Sequence, residues 1–326
     1  MAEAVLRAEG LWKSYESGGL LARVAARPPR RPALIDASLE LAPGGVLGVV
    51  GESGSGKSTL ARCLSLLERP DRGRVLFKGE DLTAPSPSDL RVRRRRIQTV
   101  FQDPYASLNP RLRVGDALAE VLSVHRLAPP RGVRARVGQL LDQVGLPASA
   151  VDLYPADFSG GQRQRICIAR ALAAQPEVLI ADEPVSSLDV SIRAQVLNLL
   201  LDLRDTLGLA IVLIGHDLLL VSRIAPRISV MLGGQIVEML PPGVSLAEAR
   251  HPYTRELLAA VPRLEPGATR PDPAAPLLTG TMAAAGCPYW ERCPHRLDPR
   301  CRTETPPLRE VAPGHRVASF YDMPVG

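Results

Sequence analysis

A glycine-rich segment carries the strongest chemical signal in the chain. It consists of Gly51, Glu52, Ser53, Gly54, Ser55, Gly56, Lys57, Ser58 and Thr59. The segment follows the apolar run Val46–Val50 and precedes a predicted helix over Lys57–Leu67, which is the context that a phosphate-binding loop requires. Glycines let backbone N–H groups close around phosphate oxygens, and the helix N-terminus adds its positive end. We predict that Lys57 reaches the β- and γ-phosphates of a nucleotide and that Ser58 offers its hydroxyl to Mg²⁺.

The lysines of the chain narrow the class of nucleotide enzyme. A GTPase of the common type binds guanine through Asn-Lys-x-Asp, and none of Lys13, Lys57 and Lys78 follows an asparagine. This disfavours a GTPase. The loop alone is also compatible with a small-molecule kinase.

Two acidic residues end a second apolar run. Asp182 and Glu183 follow Val178–Ala181 directly. Asp182 can hold Mg²⁺ through water, and Glu183 can orient and polarise an attacking water. An acidic helix cap is the alternative, but the position of the pair after a strand of a nucleotide fold favours the catalytic interpretation.

A second candidate anion site begins another predicted helix, Arg163–Ala174. Its residues are Ser159, Gly160, Gly161 and Gln162. A serine and two glycines at a helix start expose backbone N–H groups to an anion. Either both helix ends serve one nucleotide, or the second serves a nucleotide held by another subunit; on its own, the motif would be a simple helix cap.

Apolar strand patterns that alternate with helical patterns predict an α/β fold with a mainly parallel sheet. The stretch from about 110 to 155 contains amphipathic helical pieces and few strand signals. Beyond Met239 the chain becomes rich in Pro, Arg and Cys. We therefore predict a boundary near 240 and a small, loop-rich C-terminal extension.

Taken in order, these motifs resemble the ATP-binding cassette (ABC) family. Gly51–Thr59 resembles its Walker A loop, Phe158–Gln162 its signature, Val178–Glu183 its Walker B strand, Gln102 its Q-loop, Ser187–Asp189 its D-loop, His216 its switch histidine and Tyr15 its adenine-stacking aromatic. The match covers about residues 3–240. It departs from the family pattern at Phe158, where Leu is commoner, and at Gly215, where Ser is commoner.

This resemblance implies a P-loop NTPase cassette over residues 1–240, with a RecA-like core, an antiparallel β subdomain and a helical subdomain at about 105–170. Residues 241–326 form the extension. The family binds ATP and Mg²⁺ in a head-to-tail dimer, in which the signature of one cassette covers the ATP held by the Walker A loop of the other. The resemblance gives catalytic roles to Glu183, His216 and Gln102. It also places Gln102 beside Mg²⁺ with Ser58 and Asp182, and Asp189 in the D-loop.

A narrower resemblance rests on Phe101–Arg111, Phe158–Arg165 and His251–Thr254. These stretches are similar to the ATPase subunits of bacterial dipeptide and oligopeptide importers. The similarity implies peptide import with two permease subunits, a sister ATPase in a heterodimer and an extracytoplasmic solute-binding protein. Within the class the alternative is an importer of nickel or another small solute. Outside transport it is an ABC ATPase of DNA repair or translation.

Three cysteines, Cys287, Cys293 and Cys301, crowd the extension. In the importers that the chain resembles, this region can bind a [4Fe-4S] cluster through four cysteines, and Ser319 stands where the fourth is expected. The alternatives are zinc with His295 as a ligand, or three free thiols. Cys63 and Cys167 fall on apolar helix faces and are predicted core residues.

The formal net charge of +6 over 326 residues is a mild basic bias that selects no partner. The arginine run at Arg91 and Arg93–Arg96 has no interleaved aromatics, so nucleic acid is not an expected partner. No apolar run approaches the roughly 18–20 residues that a membrane helix needs. The resemblance to importer ATPases implies a peripheral protein at the cytoplasmic face of the inner membrane.

Overall fold

The computed structural model describes residues 3–16, 30–83, 87–260 and 286–321, except for the side chains of residues 87–91. Its strands are β1 (Leu6–Glu16), β2 (Arg30–Leu41), β3 (Val46–Val50), β4 (Arg72–Phe77), β5 (Glu80–Asp81), β6 (Ile97–Val100), β7 (Val178–Asp182), β8 (Ala210–Gly215), β9 (Arg227–Leu232), β10 (Gln235–Leu240), β11 (Leu308–Ala312) and β12 (His315–Ala318). Its α-helices are α1 (Lys57–Leu64), α2 (Pro87–Arg96), α3 (Pro104–Ser107), α4 (Val114–Val124), α5 (Val133–Gln143), α6 (Gly160–Ala173), α7 (Val190–Leu207), α8 (Leu218–Ser222) and α9 (Pro252–Ala259).

The main sheet has the strand order β11-β12-β10-β9-β3-β8-β7-β6. The strands from β9 to β6 in this order are parallel to their neighbours. All residues of β3 and β7 are buried, as expected for parallel strands covered on both faces. In such a sheet the carboxyl ends of the strands meet at one edge, where ligands bind in open α/β folds. The segments after β3, β6, β7 and β8 all contain predicted site residues.

A second sheet of order β2-β1-β4-β5 is antiparallel throughout. The alternating apolar side chains of β1 and β2, such as Leu6, Leu39 and Leu41, are buried together with Leu60 and Leu64 of α1 and with side chains of the main sheet. This packing fixes the start of α1 between the two sheets and so positions the phosphate loop.

Residues 104–173 are mainly helical and contain α3 to α6 with short 3₁₀ turns. Their apolar faces meet in one cluster that includes Leu118, Leu122, Leu140 and Leu141. The same cluster continues through α6 to the main sheet. Helix α6 therefore joins this helical part to the sheet and presents Ser159 at its own N-terminus.

The C-terminal extension contains more regular structure than the loop-rich tail that its composition predicts. β12 pairs with β10 (Glu238 opposite Val317), so the hairpin of β11 and β12 extends the main sheet. Glu238 is fully buried, and its carboxylate accepts from Arg250 N–H (2.7 Å) and lies 2.8 Å from Nε2 of His315. These contacts hold the start of α9 against β10.

Within the described ranges, we find no helix of the length and apolar character needed to span a membrane.

Candidate nucleotide site

The phosphate loop runs from the end of β3 to the start of α1. Space excludes a Cβ at Gly51 and Gly56, and a positive φ favours glycine at Gly54 and Gly56. A Cβ on Gly51 would lie 2.2 Å from the carbonyl oxygen of Met231, and one on Gly56 (φ 102°) would lie 2.4 Å from that of Ala33. Gly54 (φ 80°) has open space around it. The loop thus packs tightly at both ends and is open at Gly54, between Ser53 and Ser55.

Lys57 begins α1 and is buried, with 4% of its surface exposed. Its Nζ donates to the carbonyl oxygens of Gly51 and Glu52, each at 2.8 Å. Burial lowers the pKa of Lys57, and the carboxylates of Glu183, Asp182 and Glu52 oppose that shift. An ammonium group held inside the loop is placed to meet the phosphates of a nucleotide.

The next residue of α1, Ser58, lies beside the end of β7. Its hydroxyl is 3.4 Å from Oδ1 of Asp182. Burial raises the pKa of Asp182, the hydrogen bond from Ser58 lowers it, and Glu183 raises it further. A hydroxyl and a carboxylate oxygen at this spacing fit Mg²⁺, which prefers oxygen ligands. Ser58 and Asp182 are the residues that would hold the ion, and the ion would neutralise phosphate charge. Gln102, the third predicted ligand, contacts Glu183, the residue after Asp182.

Glu183 connects three strand ends. Its Oε2 accepts from Nε2 of Gln102, after β6, at 3.3 Å and lies 3.3 Å from Nδ1 of His216, after β8. The backbone of Glu183 has φ 47°, in the left-handed region that is unusual for a non-glycine residue. Backbone strain of this kind clusters at functional sites. The structure therefore brings together the three residues that the sequence predicts to be catalytic.

Tyr15, at the end of β1, lies near the same loop. Its hydroxyl contacts Glu68 and is 3.4 Å from Oγ1 of Thr59. The side chain is 37% exposed. Stacking of this ring on adenine stays a prediction, and the exposed ring beside Thr59 is compatible with it.

The second predicted anion site forms the N-terminus of α6. Ser159 Oγ accepts from Gln162 N–H (3.3 Å), and Gln162 Oε1 accepts from Ser159 N–H (2.9 Å), which is a capping box. Ser159 and Gln162 are exposed. A Cβ on Gly161 would lie 2.5 Å from Ile192 of α7, so this glycine lets α6 approach α7 closely.

Residues at the start of α7 line the same surface. Asp189 is the N-cap of that helix and is exposed. The adjacent Val190 is 80% exposed. Both residues lie at the N-terminus of α7 and are open to solvent.

The three cysteines of the extension line one cavity together with Ser319 and Tyr289, whereas His295 does not line it. Burial raises the pKa of the Cys287 thiol to about 11. The hydroxyl of Ser319 donates to the Tyr321 carbonyl at 2.5 Å. Across the described ranges, no group of three or more His, Cys, Asp or Glu side chains is arranged to hold a metal ion. The residues as placed do not fit a cluster or zinc.

The other two cysteines are core residues, as predicted. Cys63 and Cys167 are fully or almost fully buried. Burial raises the pKa of Cys63 to about 12 and that of Cys167 to about 11.

The arginine run lies on α2 and is largely paired within the protein. Arg93 contacts Glu80 at 3.2 Å, Arg96 contacts Glu177, and Arg94 donates to the Leu66 carbonyl. The side chain of Arg91 lies outside the described residues. These pairings favour a structural role for most of the run.

One part of the site was missed from the sequence. Glu52, inside the phosphate loop, is held by Tyr253 and Arg292 of the extension. The sequence signal was the stretch His251–Thr254, which resembles an importer motif but gives no indication of what it contacts.

The fold and this site are those of an ATP-binding cassette, and comparisons with known proteins agree. The family model described as ABC transporter matches residues 34–186, and the model described as Oligopeptide/dipeptide transporter, C-terminal region, matches residues 237–301. The chain is 41% identical over 327 residues to a putative peptide import ATP-binding protein of Brucella ovis, with 98% of each chain covered. The chain therefore belongs to the ABC transporter family, among cassettes that carry the oligopeptide/dipeptide-transporter C-terminal region.

Other relatives support the same assignment. The glutathione import ATP-binding protein GsiA of Escherichia coli (strain K12) is 50% identical over 270 residues, which is 82% of this chain and 43% of GsiA. The chain thus spans less than half the length of that relative. Among solved structures, the dimeric post-hydrolysis cassette MJ0796 bound to ADP and Pi has a TM-score of 0.63 at 27% identity. The match covers 72% of this chain and 98% of the MJ0796 chain. CbiO1 from Clostridium perfringens has a TM-score of 0.62 at 28% identity, and the match covers 72% of this chain and 88% of CbiO1. These structures confirm the predicted cassette fold.

Proposed function

We propose that this protein hydrolyses ATP to power import of peptides through membrane permeases. The observation that carries the proposal is the convergence of Gln102 and His216 on the carboxylate of Glu183, next to Lys57, Ser58 and Asp182. A carboxylate held by two polar groups can orient a water and accept its proton. The buried lysine and the loop N–H groups supply binding for the phosphates.

Each ATP is bound between two cassettes in this proposal. The phosphate loop and Ser159–Gln162 are separate anion-binding features on one chain, and the second is exposed with its helix N-terminus. The MJ0796 cassette with its ADP and Pi is dimeric. We infer that Ser159–Gln162 of this chain covers the nucleotide held by a sister ATPase, and that Asp189 lies at the contact between the two cassettes.

The permease partner contacts a groove beside Gln102. Leu67, Ile97, Phe101 and Val121 line this groove, and Leu67 is 52% and Phe101 37% exposed. Phe101 precedes Gln102, which bonds to the catalytic carboxylate. A cytoplasmic helix of a permease seated here would therefore transmit the state of Glu183 to the membrane. The assembly has two permeases and receives its solute from an extracytoplasmic binding protein, with this chain peripheral at the cytoplasmic face of the inner membrane.

Peptide cargo is favoured over nickel because the relatives are a peptide import protein and a glutathione import protein by name. The matched oligopeptide/dipeptide-transporter region also favours transport over DNA repair or translation. Within the described residues, the extension offers no arrangement for a metal ion, so we include neither a cluster nor zinc in the mechanism.

The proposal is tested in proteoliposomes that contain the full complex. We expect ATP hydrolysis that depends on Mg²⁺ and is stimulated by the binding protein loaded with peptide. Stimulation by Ni²⁺-loaded binding protein alone would favour the nickel importer. Replacement of Leu67 by Glu should prevent assembly with the permeases while ATP binding persists. The matched control is Leu297→Glu, because Leu297 is 65% exposed in the extension, away from the groove.

A further inference from the structure

Glu52 of the phosphate loop is held by two residues that lie more than 200 positions later in the chain. Its backbone N–H donates to the hydroxyl of Tyr253 at 2.8 Å, with a sequence separation of 201 residues. Its Oε2 accepts from Nη1 of Arg292 at 3.0 Å, with a separation of 240 residues. Both the backbone and the side chain of residue 52 are therefore held by the C-terminal extension.

These contacts are shielded from water. Tyr253 is fully buried, and the side chains of Arg292 and Glu52 are each 15% exposed. Arg292 also contacts Glu256 of α9, and its guanidinium lies 5.7 Å from the Tyr253 ring centroid and 5.4 Å from that of Tyr289. Two carboxylates and two aromatic rings therefore hold the Arg292 side chain in one position. A half-buried, hydrogen-bonded ion pair contributes more than an exposed one.

Residue 52 in turn holds the lysine of the phosphate loop. The carbonyl oxygen of Glu52 accepts from Nζ of Lys57 at 2.8 Å, as does that of Gly51. The N–H of Glu52 is thus fixed by Tyr253 while its C=O orients Lys57. A change in the orientation of residue 52 would move the carbonyl groups that hold Lys57.

We propose that Tyr253 and Arg292 are positioning residues of the nucleotide site: by fixing Glu52, they hold the phosphate loop in the conformation that binds ATP. Binding is stronger when the receptor is already in its bound shape, because less ordering entropy is lost at the binding step. The extension then acts directly on nucleotide affinity. This inference rests on the proposed ATP-dependent function.

The test uses the full chain and measures equilibrium binding of ATP with Mg²⁺. Tyr253→Phe keeps the ring and removes the acceptor of the Glu52 N–H, and we expect about fivefold weaker binding. Arg292→Gln removes the ion pair, and we expect about tenfold weaker binding. In the assembled complex, KM for ATP should rise by similar factors while kcat at saturating ATP stays close to the wild-type value.

Matched controls separate positioning from folding. Tyr321→Phe and Arg296→Gln remove a hydroxyl and a guanidinium from the same extension without touching the loop. We expect both to bind ATP like the wild type. A variant that is merely misfolded would show a lower number of binding sites at unchanged Kd, and circular dichroism would report the loss of structure.

A double-mutant cycle tests the contact itself. If Arg292 acts through Glu52, Glu52→Gln should weaken binding alone but add little to Arg292→Gln. Additive effects, or unchanged Kd in Tyr253→Phe and Arg292→Gln, would overturn the inference. If the wild-type chain itself failed to bind ATP, the proposed function would fail instead, so the two failures are distinguishable.

Discussion

Oε2 of Glu183 lies 3.3 Å from Nδ1 of His216, so the ends of the neighbouring parallel strands β7 and β8 meet at one carboxylate. Gln102 contacts the same oxygen from the end of β6. The parallel sheet thus brings residues 102, 183 and 216 to one point at its edge. This arrangement gives Glu183 the partners that a residue positioning a water would need.

Glu183→Gln is expected to bind ATP and fail to hydrolyse it. The amide keeps the size of the side chain and one acceptor oxygen but cannot act as a base. We expect turnover to fall by about 10²–10⁴-fold, the usual range for loss of a general base. Steady-state hydrolysis and retention of radiolabelled ATP by the assembled complex measure this. Undiminished turnover would remove Glu183 from its catalytic role.

Gly56→Ala is expected to lower the free energy of unfolding much more than Gly54→Ala. Both glycines have positive φ, but only at Gly56 would a Cβ collide with backbone, at 2.4 Å from the Ala33 oxygen. We expect about 1–2 kcal/mol for Gly54→Ala from backbone conformation alone and about 2–5 kcal/mol for Gly56→Ala. Urea denaturation of the full chain measures both. Equal losses of unfolding free energy in the two variants would mean that the backbone of β2 at Ala33 moves aside at no energetic cost, and would contradict the prediction.

Much of this site could be predicted from sequence because the motifs are local. The residues from Gly51 to Thr59 carry their own backbone requirements, and Asp182 and Glu183 directly follow a buried strand. Helix α1 is shorter than predicted, ending at Leu64 instead of Leu67, because Leu66 has φ 59° and the Ser65 hydroxyl bonds back to the Ala61 carbonyl. That ending depends on side-chain detail that periodicity does not report.

The contacts of the extension could not be predicted for a different reason. The pairing of β12 with β10 and the contact between Arg292 and Glu52 join residues far apart in the chain. The Pro-rich composition after residue 240 predicted loops. The strands β11 and β12 are too short to give a clear strand pattern within such a sequence. Long-range pairing of this kind is set by tertiary packing, which overrides local propensity.

Stability is expected to fall below neutral pH through His251. Burial lowers the pKa of His251 to about 4, and the carboxylate of Glu238 opposes the shift. Nδ1 of His251 accepts from the Tyr253 N–H at 3.2 Å, which requires the neutral ring. Because the unfolded histidine takes up a proton near pH 6.5 and the folded one only near pH 4, the stabilisation is complete above pH 6.5 and lost as pH falls toward 4.

The variant that checks this is His251→Asn, which keeps an acceptor for the Tyr253 N–H and does not titrate. From pH 7 to pH 5, the wild type should lose about 2 kcal/mol more unfolding free energy than the variant. Parallel denaturation curves at the two pH values measure the difference. The buried Glu238–His315 pair is common to both proteins, so it cancels to first order. Identical pH dependence in both would contradict a titrating role for His251.

The cysteine-lined cavity is expected to hold neither iron nor zinc in stoichiometric amount. The Ser319 hydroxyl is bonded within the chain, and no group of three or more His, Cys, Asp or Glu among the described residues is arranged to hold a metal ion. Anaerobic purification of the full chain, followed by elemental analysis for both metals, measures this. The matched control is Cys287→Ser, which should have the same metal content as the wild type. One equivalent of zinc or four of iron per chain, lost in that variant, would reverse the assignment.

In the proposed assembly, this chain completes a nucleotide site on a second cassette through Ser159–Gln162. The most direct measurement is a structure of the Glu183→Gln complex, assembled with its sister ATPase and permeases and loaded with ATP and Mg²⁺. We predict that Ser159 and the N–H groups of Gly160 and Gly161 contact the γ-phosphate of ATP held by the sister's phosphate loop. If Ser159–Gln162 faced solvent with ATP bound elsewhere, this chain would not complete the sister's nucleotide site and the proposed assembly would be wrong.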